Sequence, residues 1–373
     1  MTVGSTMTAA AGTPHASVSF EKAQDRATSA LRLWLYALAL LVVAMVAVGG
    51  ATRLTGSGLS ITEWKPVTGA IPPLSDAAWL AEFEKYRQSP QYALLNQGMS
   101  LDEFKFIYWW EWGHRQLGRF VGLAFFLPFL WFWAKGWVRG RLALVLLGLG
   151  ALGGLQGAVG WIMVASGLKP GMTAVAPLKL MLHLVIACAI FAGLLWTAAG
   201  LGWRKTGLAT AAGHPRLRRQ AHLLLGLVFL QIALGGLVAG SKAGLTYNTW
   251  PLMDGRWIPP LDGLFAVSPW VENFVDNVAL VQFNHRLMAY VVVGVALWHA
   301  FTAWRALPRL AGWTAALAGL ALAQAALGIL TLLLHVPLWA GLAHQLLAIV
   351  LLGAVVLHAR SFSPPAAAAF SSQ

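Results

Sequence analysis

Charge is the scarcest thing in this chain. Asp, Glu, Lys and Arg make up 10% of its 373 residues, against 58% hydrophobic residues. Soluble globular domains carry about 25% charged residues, so the composition excludes an ordinary soluble domain and points to a polytopic membrane protein. Cysteine is almost missing: Cys188, in the middle of an apolar run, is the only one. No disulfide, Cys-x-x-Cys pair or cysteine-based metal centre can form within the chain, and Cys188 reads as a small buried apolar residue. The first 25 residues lack the basic-then-apolar layout of a cleaved signal peptide and read as a disordered cytoplasmic tail.

What is present is apolar length. A membrane-spanning helix needs about 20 mostly apolar residues. Eight segments qualify: 33–51, 114–134, 142–165, 178–200, 222–240, 280–303, 312–334 and 340–358. The predicted fold class is therefore all-α, an integral membrane protein in the lipid bilayer. Basic residues gather in alternate connections: Lys135, Arg139 and Arg141, then Arg204, Lys205, Arg216, Arg218 and Arg219, then Arg305 and Arg309, with Arg360 after the last segment. These connections hold no acidic residue; all 13 acidic residues except Glu21 and Asp25 fall on the other side. Short basic loops mark the cytoplasmic face, which places both termini inside and makes the net charge of +13 a matter of topology rather than a nucleic-acid surface.

The eight segments read as one four-segment unit written twice. Gly56-Ser57-Gly58-Leu59, Trp64 and Ile71-Pro72-Pro73 follow segment 1; Lys242-Ala243-Gly244-Leu245, Trp250 and Ile258-Pro259-Pro260 follow segment 5. Segments 3 and 7 share a Gln with a Gly four residues on, Gln156 and Gly160, Gln324 and Gly328. An even number of spans per unit gives both copies the same orientation, so two tandem pseudo-symmetric four-helix bundles are expected. The expected divisions are a disordered tail over 1–32, bundles over 33–200 and 222–358, a cytoplasmic linker over 201–221 and a tail over 359–373.

Four histidines occupy matching places near the start of the even segments: His114, His183, His285 and His344. Imidazole is costly in hydrocarbon, and four at repeat-matched positions argue for ligands. All four fall near the outer face, within roughly 10 Å of the hydrocarbon edge. They pair within halves, His114 with His183 and His285 with His344. A di-iron carboxylate site fails, because segments 4 and 8 supply no glutamate. Two imidazoles per site suit a haem iron. His222, His299 and His358 lie toward cytoplasmic helix ends, where snorkelling suffices, and His335 has no repeat partner. Arg115, Arg119 and Arg286 neighbour the ligand positions; pairing with haem propionates and anchoring at the interface both fit them. The halves differ at one telling place, Glu111 in the first against Gln282 in the second. A carboxylate about one turn from an iron ligand can move protons or offset developing positive charge, and a glutamate pairing with Arg115 at the water boundary is the plainer alternative; the functional role is favoured, so chemistry is expected in the first half. The long outer connection over 52–113 carries amphipathic stretches around Trp79–Tyr86 and Leu101–Tyr108, expected as short surface helices above the site. Gly148, Gly150, Gly153 and Gly154 in segment 3 permit close helix packing, within the chain or between chains.

Several longer motifs resemble the haem A synthase family, in its proteobacterial and mitochondrial branch. They are Gly49-Gly50-Ala51-Thr52-Arg53-Leu54-Thr55-Gly56-Ser57-Gly58-Leu59-Ser60 with Glu63-Trp64-Lys65-Pro66, Trp109-Trp110-Glu111-Trp112-Gly113-His114-Arg115, Asn248-Thr249-Trp250-Pro251-Leu252-Met253, Gln282-Phe283-Asn284-His285-Arg286, and His335-Val336-Pro337 before His344-Gln345. The resemblance covers 33–358. It implies oxidation of a methyl substituent of haem O to a formyl group, giving haem A for terminal oxidases, by successive hydroxylations and loss of water. It implies a haem b cofactor on His285 and His344, substrate haem on His114 and His183, and Glu111 as the acid needed for turnover. It also implies a place in cytochrome oxidase assembly in the inner (plasma) membrane, beside the farnesyltransferase that makes haem O (haem O synthase), and an electron donor that the residues do not name. Relatives that carry paired cysteines in the outer loops differ from this chain, so no thiol relay operates here. A di-haem electron carrier and a haem transporter are the rival classes.

Overall fold

The computed structural model describes residues 14–201 and 213–363, and every regular element in them is helical. The helices are α1 (Pro14–Leu54), α2 (Asp76–Arg87), α3 (Pro90–Leu95), α4 (Leu101–Ala134), α5 (Gly140–Gly167), α6 (Pro177–Leu201), α7 (Pro215–Gly240), α8 (Leu261–Leu264), α9 (Val278–Ala306), α10 (Ala311–Leu333) and α11 (Leu338–Ser361). Eight are long and apolar enough to cross a membrane: α1 from Gln24, α4, α5, α6, α7, α9, α10 with the turn before it, and α11. Many large apolar side chains point outward along them, among them Leu123, Phe126, Leu127, Leu130 and Trp131 of α4. Such a surface suits lipid and not water.

Helix ends depart from the sequence expectations in several places. The tail expected over 1–32 gives way to helix from Pro14 onward, residues 1–13 lying outside the described residues. The linker expected over 201–221 is shorter, since α7 starts at Pro215, where proline suits a first helical turn; Arg204 and Lys205 lie outside the described residues. The last helix runs to Ser361, past the expected start of the tail at 359. Leu101–Tyr108 is not a separate surface helix. It is the first part of α4, started by a capping box in which Ser100 and Glu103 satisfy each other's backbone N–H groups. Trp79–Tyr86 does lie in its own short helix, α2, and Tyr86 packs on Phe104 of the α4 extension with ring centroids 5.4 Å apart.

The spans pack in two groups. In one, α1 and α5 each touch α4 and α6; in the other, α7 and α10 each touch α9 and α11. The groups meet where α6, α7, α1 and α11 adjoin. Pro128 inside α4 cannot donate to the carbonyl of Ala124, and the indole N–H of Trp34 on α1 donates to that carbonyl instead, at 2.9 Å.

Candidate functional site

Each of the four histidines sits on a glycine of a neighbouring span. A Cβ added to Gly49 of α1 would lie 2.8 Å from Cε1 of His114 on α4. The same construction on Gly160 of α5 meets His183 of α6 at 2.9 Å, on Gly235 of α7 meets His285 of α9 at 3.1 Å, and on Gly328 of α10 meets His344 of α11 at 2.7 Å. A methyl group at any of these points would displace the ring. In all four seats Cε1 is the ring atom nearest the glycine; Nδ1 lies nearer than Nε2 at Gly49 (3.3 against 3.6 Å) and Gly160 (3.4 against 3.7 Å), and the two are almost level at Gly328 (3.3 and 3.4 Å). His114 and His183 lie within electrostatic range of each other, as do His285 and His344. His114 is the fourteenth residue of its helix and not in its first turns, because α4 extends beyond the span; the other three are the seventh or eighth of theirs.

Glutamines reach three of the four rings. Gln231 Nε2 lies 3.1 Å from His285 Nδ1 and donates to the His285 carbonyl at 3.2 Å. Gln324 Nε2 lies 3.2 Å from His344 Nδ1 and donates to the His344 carbonyl at 3.0 Å. Gln156 Nε2 lies 3.3 Å from His183 Nε2. Each glutamine sits four residues before the seat glycine of its ring. The sequence reading caught this spacing in segments 3 and 7 but missed Gln231, Gly235 and Gly49. The register that equates Gly56 with Lys242 also equates Gly49 with Gly235, and so carried the missing signal.

Above the first pair, Glu111 is buried at 3% exposure. Its carboxylate accepts from Ser60 Oγ and the Ile61 backbone N–H, both at 2.8 Å, and from Arg115 at 2.6 Å. Arg115 also donates to the carbonyls of Ile61 and Glu63, and Arg119 to those of Lys65 and Pro66. Gln282 stands in the matching place of the other group, 2% exposed, donating to the Ala243 carbonyl at 2.7 Å; Arg286 beside it donates to the Tyr247 carbonyl. The loop between α1 and α2 is further braced by Glu63, whose carboxyl accepts from Lys85 at 2.6 Å and pairs with Lys65 at 2.7 Å. These two ammonium groups hold the Glu63 carboxyl below its usual pKa, and the pairing raises that of Lys85.

His299 and His358 are not snorkelling residues. Both are 1% exposed, with their Nε2 atoms 2.7 Å apart. Gln220 Oε1 lies 3.1 Å from His299 Nδ1, so that nitrogen donates, His299 Nε2 accepts and His358 Nε2 donates; His358 Nδ1 is left without a partner. His299 follows His285 by 14 residues, and His358 follows His344 by the same number. Their direct contact leaves no room for an iron between them, since bis-imidazole ligation spaces the nitrogens about 4 Å apart.

The donor set of the glycine-seated pairs suits a haem. No cluster of three or more His, Cys, Asp or Glu side chains that could hold a metal ion occurs among the described residues. Each pair offers two imidazoles on helices across the group from each other, and Nδ1 of His114 and of His183 is buried with no partner.

Comparison with known proteins gives a consistent result. The family model COX15-CtaA, described as a cytochrome oxidase assembly protein, matches residues 32–356. A protein of Methylobacterium sp. (strain 4-46) named "Heme A synthase" is 66% identical over 360 residues, covering 95% of this chain and 98% of its own length. Proteins of the same name from Azorhizobium caulinodans and Brucella anthropi are 52% and 48% identical, covering 90% and 95% of this chain and 94% and 98% of their own lengths.

Proposed function

The chain belongs to the COX15-CtaA family of cytochrome oxidase assembly proteins, and from that premise we propose that it does the work of a haem A synthase. It is an oxidoreductase of the membrane that converts haem O to haem A in support of cytochrome oxidase assembly. The near-full-length likeness at 66% identity is the observation that carries this reading.

The finer assignment is ours. His285 and His344 hold a resident haem b, and His114 and His183 hold the porphyrin being converted. The resident haem b supplies electron-transfer chemistry. Four imidazoles seated on glycines support this, because a ring packed closely against a neighbouring helix has little freedom to reorient. Glu111 is the acid beside the substrate pair: buried, on the ligand helix and within reach of the loop hydroxyl of Ser60, it can hold or pass a proton. Arg286, whose Nε is buried without a partner, is the strongest of the three arginines for a propionate; Arg115 and Arg119 hold the outer loop and offer their remaining donors. The two groups of spans act as separate substrate and cofactor bundles over 33–200 and 222–358. Basic connections put both termini in the cytoplasm and the haem sites near the outer face of the inner membrane. Haem O synthase is the supplier of substrate, and an electron donor completes the reaction.

Extracting the porphyrins from purified protein and separating them by chromatography tests the reading. The expected result is haem b together with haem O or haem A. Haem b alone, with no accumulation of haem O in a deletion strain, would defeat the enzyme and favour an electron carrier.

A further inference from the structure

The two groups of spans differ in how they close beside their histidines. In the second group α9 and α10 lie together along much of their lengths, whereas in the first α4 and α5 approach closely over only a short stretch. Gly150 of α5 is a point of contact, with an added Cβ 3.0 Å from Phe125 and 3.7 Å from Phe126 of α4. Toward the ends that carry the histidines, the loop between α1 and α2 bridges the two helices. Arg119 of α4 holds its Lys65 and Pro66 carbonyls, and Trp64 packs on Trp161 of α5 with ring centroids 5.3 Å apart. Trp161 follows Gly150 by 11 residues, which leaves a lateral window roughly 16 Å tall.

The α5 edge of that window is glycine. Gly153 and Gly157 lie one and two turns from Gly150 on the same helix face. Both are exposed, and a Cβ added at either meets no heavy atom of the described residues within 4 Å. The register that equates Gln156 with Gln324 equates these two glycines with Ala321 and Ala325 of α10. Ala321 is buried and Ala325 half-buried, so the second group covers the face that the first leaves open. The window adjoins the histidine pair. Gly157 is three residues from Gly160, the seat of His183, and it follows Gln156, whose Oε1 is buried without a partner. Nδ1 of His114 and of His183 is likewise buried and unpartnered.

Haem O differs from haem b in a long hydroxyethylfarnesyl tail on one edge of the ring. Such a ring can lie between two imidazoles inside a bundle only if the tail has a way out. Within a bilayer the tail gains little from burial as such, so an opening onto lipid serves it and selectivity comes from packing. With the propionates toward the polar loop, the opposite edge carries the tail toward mid-helix, where the window runs. We propose that the window between α4 and α5, edged by Gly153 and Gly157, takes the isoprenoid tail of the porphyrin held by His114 and His183. The closed counterpart between α9 and α10 reserves the other pair for a haem without a tail. This rests on the ligand assignment above and adds what sorts two porphyrins between two similar pairs.

The test uses full-length protein purified from cells lacking haem O synthase. It is titrated with haem O and, separately, with haem b, and the site signal is the absorbance change that His114→Ala abolishes. Wild type is expected to bind haem O roughly tenfold more tightly than haem b, the lower end of what an apolar pocket discriminates. Gly153→Leu should lose that preference by weakening haem O alone, with the resident haem b retained as the sign of a folded protein. Gly153→Ala/Gly157→Ala, which copies α10, should lose part of it and carries the test if the leucine variant does not fold. Gly148→Leu, two residues from Gly150 and so on another face, should behave as wild type. Equal affinity for the two porphyrins in wild type would overturn the proposal. So would a preference that survives Gly153→Leu, the result if lipid alone fills the window, or a loss shared equally by haem O and haem b. Absence of a site signal in wild type with either porphyrin would instead sink the ligand assignment on which the proposal rests.

Discussion

Glu111 and Gln282 share one register in the two halves, and the loops above them are wired in opposite senses. Around Glu111 the loop offers donors, Ser60 Oγ and the Ile61 N–H, whereas around Gln282 it offers the carbonyl of Ala243. A glutamine at 111 would keep one accepting oxygen but turn an amide N–H toward Arg115. We expect Glu111→Gln to retain haem b and to lose haem A formation, read by porphyrin extraction; full activity would remove this carboxylate from the reaction. The buried His299–His358 pair makes a separate residue-scale prediction. His358→Leu leaves His299 Nε2 buried without a donor, at a cost of about 1–3 kcal/mol, while replacing both partners by apolar groups removes that unmet need. His358→Leu should therefore lower Tm in detergent, and His299→Leu/His358→Leu should recover part of the loss.

At the scale of elements, the loop between α1 and α2 is held over α4 by a few charged side chains. Arg115 binds the carbonyls of Ile61 and Glu63, while Lys65 and Lys85 bind the Glu63 carboxylate. Because these lysines depress the Glu63 pKa, their stabilisation is fully present above the unfolded value of about 4.3 and is lost as pH falls through the lower folded value. Hydrogen exchange over residues 61–65, corrected for intrinsic rates, should show protection at pH 6 that fades below about pH 4. Glu63→Gln should be less protected at pH 6 and lose that pH dependence. The turn after α7 has a strained point: Lys242 sits at φ 54°, where its counterpart Gly56 after α1 sits at 68°. Lys242→Gly should raise Tm slightly, since glycine adopts that backbone without strain.

Across the whole molecule, the two groups of spans meet through paired glycines. Gly49 seats His114 of its own group, while the next residue, Gly50, admits Gln345 of α11, whose amide donates to the Val46 carbonyl at 2.6 Å. Gly235 seats His285, and Gly236 admits Met181 of α6 with an added Cβ only 3.1 Å from its Cα. Gln345 adjoins His344, and Met181 precedes His183 by two residues, so each group leans on the other beside one of the glycine-seated histidines. We expect Gly49→Ala to release haem O and haem A while sparing haem b. Gly50→Val should instead force α1 and α11 apart and lower retention of both, measured in the same extraction. Loss of only one porphyrin in Gly50→Val would show that the groups stand independently.

The order of residues alone set the eight spans, the four repeat-matched histidines and the Glu111–Gln282 difference. Apolar length and repeat-matched polar residues are properties of the chain that no folding step alters. It did not determine where helices start: α4 opens at Leu101 in a stretch that mixes Asp102, Glu103 and Lys105 with aromatic residues, and α1 reaches back to Pro14 through polar sequence without the apolar length that marked the spans. It also misjudged His299 and His358. A histidine near a helix end reads as reaching for water, and only the packing of α7, α9 and α11 decides that these two meet each other instead. Which glycine lies under which imidazole was likewise decided in three dimensions, because a residue without a side chain leaves no mark of the neighbour it admits until two helices approach.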